Sequence, residues 1–153
     1  MGNVFNIDVM WTYSYVNRRV IRALALFLID PFFVFYCLCW IIIRYFRISG
    51  NPIPYLNDWL TDIVFIPLIA HFSYCLGLFI LRLEHGYKYS LKQLFLLAFL
   101  TSIFFEVLSP MFTDYNTADF MDAICYFLGA CLFYYLHQPY LNRKIYKYKN
   151  QLF

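Results

Sequence analysis

Four apolar runs, each close to the length that a helix needs to cross a lipid bilayer, constrain this chain more than any other feature. A spanning helix needs about 20 mainly apolar residues. The runs cover residues 31–48, 59–83, 91–109 and 117–138. With 63% hydrophobic and 14% charged residues, the chain lies far from the roughly 25% charged content of soluble domains. We therefore expect an all-α integral membrane protein, with four transmembrane helices forming a bundle over residues 30–138.

The segment before the first run, residues 1–29, is predicted to lie at the membrane surface. The Asp30-Pro31 pair favours a helix start, because proline fits the first turn and the residue before it resists α geometry. Residues 9–28 are then expected to form an amphipathic interfacial helix anchored by aromatic side chains. A single long helix over residues 20–43 is the alternative, and it leaves the topology unchanged.

Lysine and arginine collect on one side of the predicted bundle. That side receives the N-terminal segment, the 82–92 connection and the basic tail 139–153, whereas the other side holds only Arg44 and Arg47. Because positive residues favour the cytoplasm, both termini are expected there. We expect the tail to bind anionic lipids of the bilayer and no nucleic acid.

Acidic residues gather at the opposite, outward end of the helices. Asp58 and Asp62 are four residues apart, and Asp119 and Asp122 are three apart, so each pair is predicted to share a helix face. Both pairs lie in or near an opening helical turn, where the dipole favours negative charge. Asn116 followed by Asp119 also resembles a capping arrangement. Helix capping is therefore the alternative to ligand binding for these acids.

Glu106 does not fit a capping role. It lies one turn before Pro110, at the end of the third run, where the helix dipole disfavours an acid. An ionisable residue at such depth normally faces the bundle interior or a wet cavity and has a partner. The candidate partners are Arg44, Arg47, a shared proton or a bound cation. We expect a functional role, and a structural ion pair with one of these arginines is the alternative.

His71 lies in the middle of the second run, nine residues after Asp62. Because no second histidine stands at ligand spacing, we expect an interhelical hydrogen bond there rather than a metal ligand. The five cysteines lack the paired spacing of a zinc or redox site, and we expect them to be packing residues.

Three stretches of the chain share a pattern with a known family: NDWLTDIVFIP at 57–67, FFEVLSP at 104–110 and TADFMDAICYFLGACLFYY at 117–135. They resemble the VanZ-like membrane proteins, whose pattern has an Asn-containing stretch that ends in Phe-x-Pro, a Glu in the third helix, and D-x-x-D followed by an Asn and then Gly in the fourth. The family's arginine shortly before D-x-x-D has no counterpart within 113–117, and Tyr126 stands near the place of its asparagine. By position, the resemblance puts these residues on the family pattern: Asn57, Glu106, Asp119, Asp122 and Gly129.

The chain is more similar to a smaller group, the bacterial four-helix proteins labelled magnesium citrate secondary transporters. Their features appear here as Asp30-Pro31, as Tyr55-Leu56-Asn57-Asp58 and in the 105–129 stretch. The resemblance implies a four-helix fold in a bacterial cytoplasmic (inner) membrane. For VanZ-like proteins it also implies an association with the cell envelope and with resistance to lipid-anchored glycopeptides such as teicoplanin.

We expect a small, non-enzymatic envelope protein whose outward acidic pocket binds a cation, a cationic head group or an amphiphile. No cofactor is certain from the sequence, although a divalent cation such as Mg²⁺ suits carboxylate ligands. A homodimer or a larger membrane complex is the expected assembly. The candidate site residues are Asn57, Asp58, Asp62, Glu106, Asp119 and Asp122.

Two other functions remain open. The first is a cation-coupled secondary transporter of the Mg²⁺/citrate type, which would act as an oligomer because four helices show no internal repeat. The second is a membrane-embedded lipid hydrolase with Glu106 as base and a bound metal as Lewis acid. Its nucleophile would be Ser102 or Ser109, and neither stands beside a histidine.

Overall fold

Four helices, each long and apolar enough to cross a membrane, make up the fold of the described residues. The structure, a computed structural model, describes residues 21, 25, 28–80, 87–112 and 119–150. The predicted interfacial helix therefore lies almost entirely outside the described residues. The helices are α1, Pro31–Ile48; α2, Leu56–Ile80; α3, which joins Leu91–Ser102, Ile103–Leu108 and Ser109–Phe112; and α4, which joins Phe120–Leu132, Phe133–His137 and Gln138–Asn150.

Asp30 sets the start of α1. Its backbone is extended, with φ −78° and ψ 123°, and Pro31 follows in the first turn. The Asp30 carboxylate accepts hydrogen bonds from the Phe32 and Phe33 N–H groups at 3.0 and 3.1 Å, which satisfies two of the donors that a helix start leaves open. This break contradicts the alternative of one continuous helix over residues 20–43.

Helices α3 and α4 each contain a π-helical segment directly before a proline. Ile103–Leu108 precedes Pro110, and Phe133–His137 precedes Pro139. In a regular α-helix the proline ring would clash with the carbonyl four residues earlier. In both helices the N–H of the residue before the proline instead bonds to the carbonyl five residues back, Ser109 to Phe104 and Gln138 to Phe133. The wider turn makes room for the ring.

Both helices consequently run past the ends that the sequence predicts. The predicted third helix stops before Pro110, whereas α3 continues to Phe112. The predicted fourth helix stops near residue 138, whereas α4 continues to Asn150. For the third helix the prediction treats Pro110 as a stop signal, whereas the π turn accommodates that proline within the helix. Much of the predicted basic tail is therefore the last part of α4.

Gly129 permits the close crossing of α2 and α4. A Cβ atom at this position would overlap the carbonyl oxygen of Ile63 and lie 3.0 Å from the Cδ atom of Pro67. The main core forms around this crossing, between α2, α3 and α4, while α1 packs against α2. Gly129, which the resemblance singles out, thus has a packing role within the chain.

Large apolar side chains cover much of the outer surface. Trp40 on α1, Phe99 on α3 and Leu128 on α4 are 53%, 52% and 53% exposed. Soluble monomers rarely expose contiguous apolar patches of this kind. The outer surface is therefore suited to lipid contact, in agreement with four helices of spanning length.

Candidate functional site

Four carboxylates contributed by α2, α3 and α4 occupy one end of the helix assembly. Glu106 lies on the π segment of α3 and is half-buried. Its Oε2 atom accepts a hydrogen bond of 2.8 Å from the backbone N–H of Asp119, at the start of α4. This bond joins the ends of α3 and α4. We refer to Asp62, Glu106, Asp119 and Asp122 as the acidic cluster.

Tyr126 connects the acidic cluster to the core. The buried Tyr126 hydroxyl donates a hydrogen bond of 3.1 Å to Oδ1 of Asp62, which joins α4 to α2. The charges of Asp62, Glu106 and Asp122 all act on Tyr126. These three acids are therefore close enough to influence one common group, and Asp119 joins them through its N–H bond to Glu106. Asp119 also caps α4, since its side chain accepts a hydrogen bond from the Met121 N–H.

The other predicted site residues have different surroundings. The guanidinium of Arg47 donates a hydrogen bond of 2.6 Å to the backbone carbonyl of Asn57. Arg44 is exposed, and within the described chain neither arginine is at ion-pair distance from a carboxylate. Asn57 is buried, and its Oδ1 atom has no hydrogen-bond partner among the described residues. The side chain of Asp58 lies outside the described atoms.

A second polar group lies further along the helices, away from the acidic cluster. Asp30 at the start of α1, His71 on α2 and His137 on the π segment of α4 are all completely buried. His71 is nine residues beyond Asp62, or about 13 Å along the axis of α2. We refer to Asp30, His71 and His137 as the Asp/His cluster. One potential ligand atom from each residue lies within 4.8 Å of the other two.

Short contacts hold the Asp/His cluster together. His137 Nε2 lies 3.0 Å from Asp30 Oδ1, and the Tyr36 hydroxyl lies 3.3 Å from His137 Nδ1. The two imidazole rings are stacked, with centroids 4.8 Å apart and planes inclined by 23°. The Nε2 atom of His71 contacts the Cys75 sulfur at 3.7 Å.

The ionisation of Asp30 follows from these contacts. Burial raises the pKa of the carboxyl group, but the interactions with His137 and with the Phe33 N–H lower it by more, and the net pKa is below the ordinary value. Asp30 is therefore a carboxylate at neutral pH. A buried anion of this kind needs a compensating positive charge.

The sequence does not reveal the Asp/His cluster or the contribution of Tyr126. Asp30 and His137 are more than one hundred residues apart, and no local spacing links either of them to His71. The one signal of the Asp/His cluster in the sequence is proline. A proline follows Asp30 directly and follows His137 by two residues, and proline marks places where a helix departs from regular geometry. Tyr126 follows Asp122 by four residues, a spacing that places both side chains on one helix face.

The described chain is thus an all-helical protein with four helices of spanning length and two separate polar clusters between them. Comparisons with protein families, with curated proteins and with solved structures find no match.

Proposed function

We propose that this chain is a VanZ-like, non-enzymatic protein of the bacterial cytoplasmic membrane, and that its acidic cluster faces outward and binds a cation, a cationic head group or an amphiphile. In this proposal the four helices span the bilayer as a bundle, both termini are cytoplasmic, and residues 9–28 lie at the interface. The observation that carries it is the convergence of carboxylates from α2, α3 and α4 around Tyr126.

The charge balance of the acidic cluster supports cation binding. Carboxylates that share a site repel one another, and the repulsion is relieved by protonation or by a cation. The guanidinium of Arg47 donates a hydrogen bond to the Asn57 carbonyl. Neither Arg44 nor Arg47 forms an ion pair with an acid among the described residues. A positive group from outside the chain would meet a site of negative potential.

The position of Glu106 on a π segment also supports a functional role. π segments are rare and are frequently found at functional sites, where they re-aim side chains. The Glu106 carboxylate reaches across to the Asp119 N–H, although it lies at the helix end where the dipole disfavours a negative charge. An interaction with a cation would offset that unfavourable position.

The experiment is a binding titration on purified protein in nanodiscs of zwitterionic lipid. Mg²⁺ and a long-chain primary amine would be titrated separately and followed by calorimetry. We expect saturable binding of at least one of them. Substitution of Glu106 by Gln should weaken that binding about tenfold, equivalent to about 1.4 kcal/mol. Glutamine keeps an oxygen that can accept the Asp119 N–H, so the helix connection should survive.

The matched control is Glu84→Gln, which removes the same charge from the connection that the sequence places on the cytoplasmic side. It should leave the affinity unchanged. The proposal fails if neither ligand binds saturably, or if both substitutions weaken binding equally.

A cation-coupled transporter is the second candidate, and the Asp/His cluster favours it. Completely buried ionisable residues at membrane depth often mark ion or proton pathways. The same proteins in liposomes would be tested for uptake of citrate with Mg²⁺. Uptake that Glu106→Gln abolishes would make the chain a carrier, whereas binding without uptake would keep it a binding protein.

A further inference from the structure

We propose that Asp30, His71 and His137 form a binding site for one divalent transition-metal ion, such as Zn²⁺, between α1, α2 and α4. The site is separate from the acidic cluster and goes beyond the cation binding proposed for that cluster. Two imidazoles and one carboxylate are a common ligand set of zinc and of non-haem iron.

Two buried polar atoms of the Asp/His cluster, one on Asp30 and one on His137, have no hydrogen-bond partner among the described residues. Asp30 Oδ2 and His137 Nε2 are both inaccessible to solvent, and neither has a hydrogen-bond partner among the described residues. His137 Nε2 is only 3.0 Å from Asp30 Oδ1, but the two atoms are not aligned as a hydrogen bond. Buried polar atoms are normally satisfied. A metal ion would be a common partner for both residues.

The orientation of the His137 ring also suits metal binding. Its Nδ1 atom faces the Tyr36 hydroxyl at 3.3 Å. If Nδ1 carries the proton and donates it to Tyr36, then Nε2 presents a lone pair on the side of Asp30. Histidine ligands of metals usually have their second nitrogen held by such an outer partner. Tyr36 is therefore a positioning residue in this proposal.

The distances between the potential donor atoms also suit a single metal ion. With metal–ligand bonds of about 2.0–2.2 Å, two donor atoms on one ion are about 3.3 Å apart at a tetrahedral angle and at most about 4.2 Å apart. The His137–Asp30 separation of 3.0 Å is close to the first value. Because all three donor atoms lie within 4.8 Å of one another, no pair has to close by more than about 1.5 Å to reach the tetrahedral separation.

The ligand types select the class of ion. Imidazole nitrogens suit Zn²⁺ and other first-row transition ions, whereas Mg²⁺ prefers oxygen ligands and retains water. The Asp/His cluster and the acidic cluster, in which all four members are carboxylates, therefore differ in the metals that they should accept.

The competing explanation is a structural ion pair between protonated His137 and Asp30. The 3.0 Å contact between His137 Nε2 and Asp30 Oδ1 is compatible with both explanations, but an ion pair leaves Asp30 Oδ2 without a partner among the described residues. The two explanations differ in one measurable property, the metal content of the purified protein.

The first experiment measures that metal content. Protein would be stripped with a chelator, incubated with Zn²⁺, freed of excess ion and analysed by mass spectrometry for zinc per chain. We expect about one Zn²⁺ per chain for the wild type, given a single three-ligand site. Asp30→Asn and His137→Gln should each lose it. Asn can still cap α1, so the first substitution removes the carboxylate with little effect on the helix start.

The matched control is Ser73→Ala, two residues from His71 on the same helix but with an exposed side chain. It should keep the full zinc content. Size-exclusion profiles of all variants would show whether each remains folded. A wild type that takes up no zinc overturns the proposal, whatever the variants do, and so does undiminished zinc in folded Asp30→Asn and His137→Gln.

The second experiment uses Tyr36→Phe, which leaves all three proposed metal ligands in place. Removal of the hydroxyl should lower zinc affinity about 10- to 100-fold without changing the stoichiometry at saturation. In the wild type, Co²⁺ should give the visible absorption bands of a nitrogen- and oxygen-ligated site. An affinity that is the same in Tyr36→Phe and the wild type would contradict the orientation assigned to His137.

Discussion

Tyr126 is the residue at which the packing of the helices and the chemistry of the acidic cluster meet. Its ring packs against Phe65 and Phe105, with centroid distances of 6.2 and 6.4 Å. Its hydroxyl reaches Asp62. Because Phe105 precedes Glu106 in the chain, the ring contacts of Tyr126 also fix the backbone that carries the glutamate. One buried side chain thus sets the spacing between acids on different helices.

Substitution of Tyr126 by Phe should separate these two roles. The ring contacts remain, while the hydrogen bond to the Asp62 carboxylate is lost, at an expected cost of about 1–2 kcal/mol. The loss should appear as a lower midpoint of thermal unfolding in detergent. Tyr135→Phe, in which the ring is 63% exposed, is the control and should unfold at the wild-type temperature. Equal midpoints for Tyr126→Phe and wild type would show that the bond to Asp62 contributes nothing.

Single residues differ in how far the sequence predicts their surroundings. Glu106 near the end of one predicted helix and Asp119 at the start of the next could be expected to lie close together from the order of the helices alone. The interaction of Asp30 with His137 could not, because it depends on how α1 packs near α4. The wider π turn over Phe133–His137 further changes which side chain of α4 faces inward. The register of α4 at residue 137 follows from packing and proline geometry together.

Among the helices, α3 and α4 each contribute one side chain to a polar cluster from a π segment. Glu106 and His137 both lie on π segments, and each segment ends within two residues of a proline. Apolar length and composition suffice to predict that four helices exist. They do not predict π turns, because the cost of a wide turn is balanced by the steric demand of the proline and by contacts with neighbouring helices.

Pro139→Ala should convert the second π segment toward regular α-helix. Alanine restores the missing N–H and removes the ring that clashes with the carbonyl four residues back. We expect slower amide hydrogen exchange over residues 133–139, measured by mass spectrometry in detergent, since regular α-helical hydrogen bonds are better aligned.

Pro52→Ala, in the connection between α1 and α2, is the control for the loss of a proline outside a helix. It should leave exchange at 133–139 unaltered. If Pro139→Ala also leaves that exchange unaltered, the π segment is maintained by its neighbours and not by the proline.

At the scale of the whole molecule, an apolar outer surface encloses two polar clusters that lie apart along the helices. The acidic cluster is half-exposed or exposed at the end where α3 and α4 meet, whereas the Asp/His cluster is closed to solvent. The proposed orientation places the acidic end outside the cell and the continuation of α4 in the cytoplasm. An inverted chain would present the acidic cluster to a different set of ligands.

The outward orientation of the acidic cluster can be tested directly by introducing one additional cysteine at a time and labelling it with a membrane-impermeant maleimide. Phe112→Cys lies at the exposed end of α3 beside the acidic cluster, and Lys147→Cys lies on an exposed position near the other end of α4. The wild type, with its five cysteines, gives the background. In intact spheroplasts we expect labelling of Phe112→Cys above background, and labelling of Lys147→Cys only after the membrane is permeabilised. The opposite pattern would contradict the orientation and, with it, the binding of outward ligands by the acidic cluster.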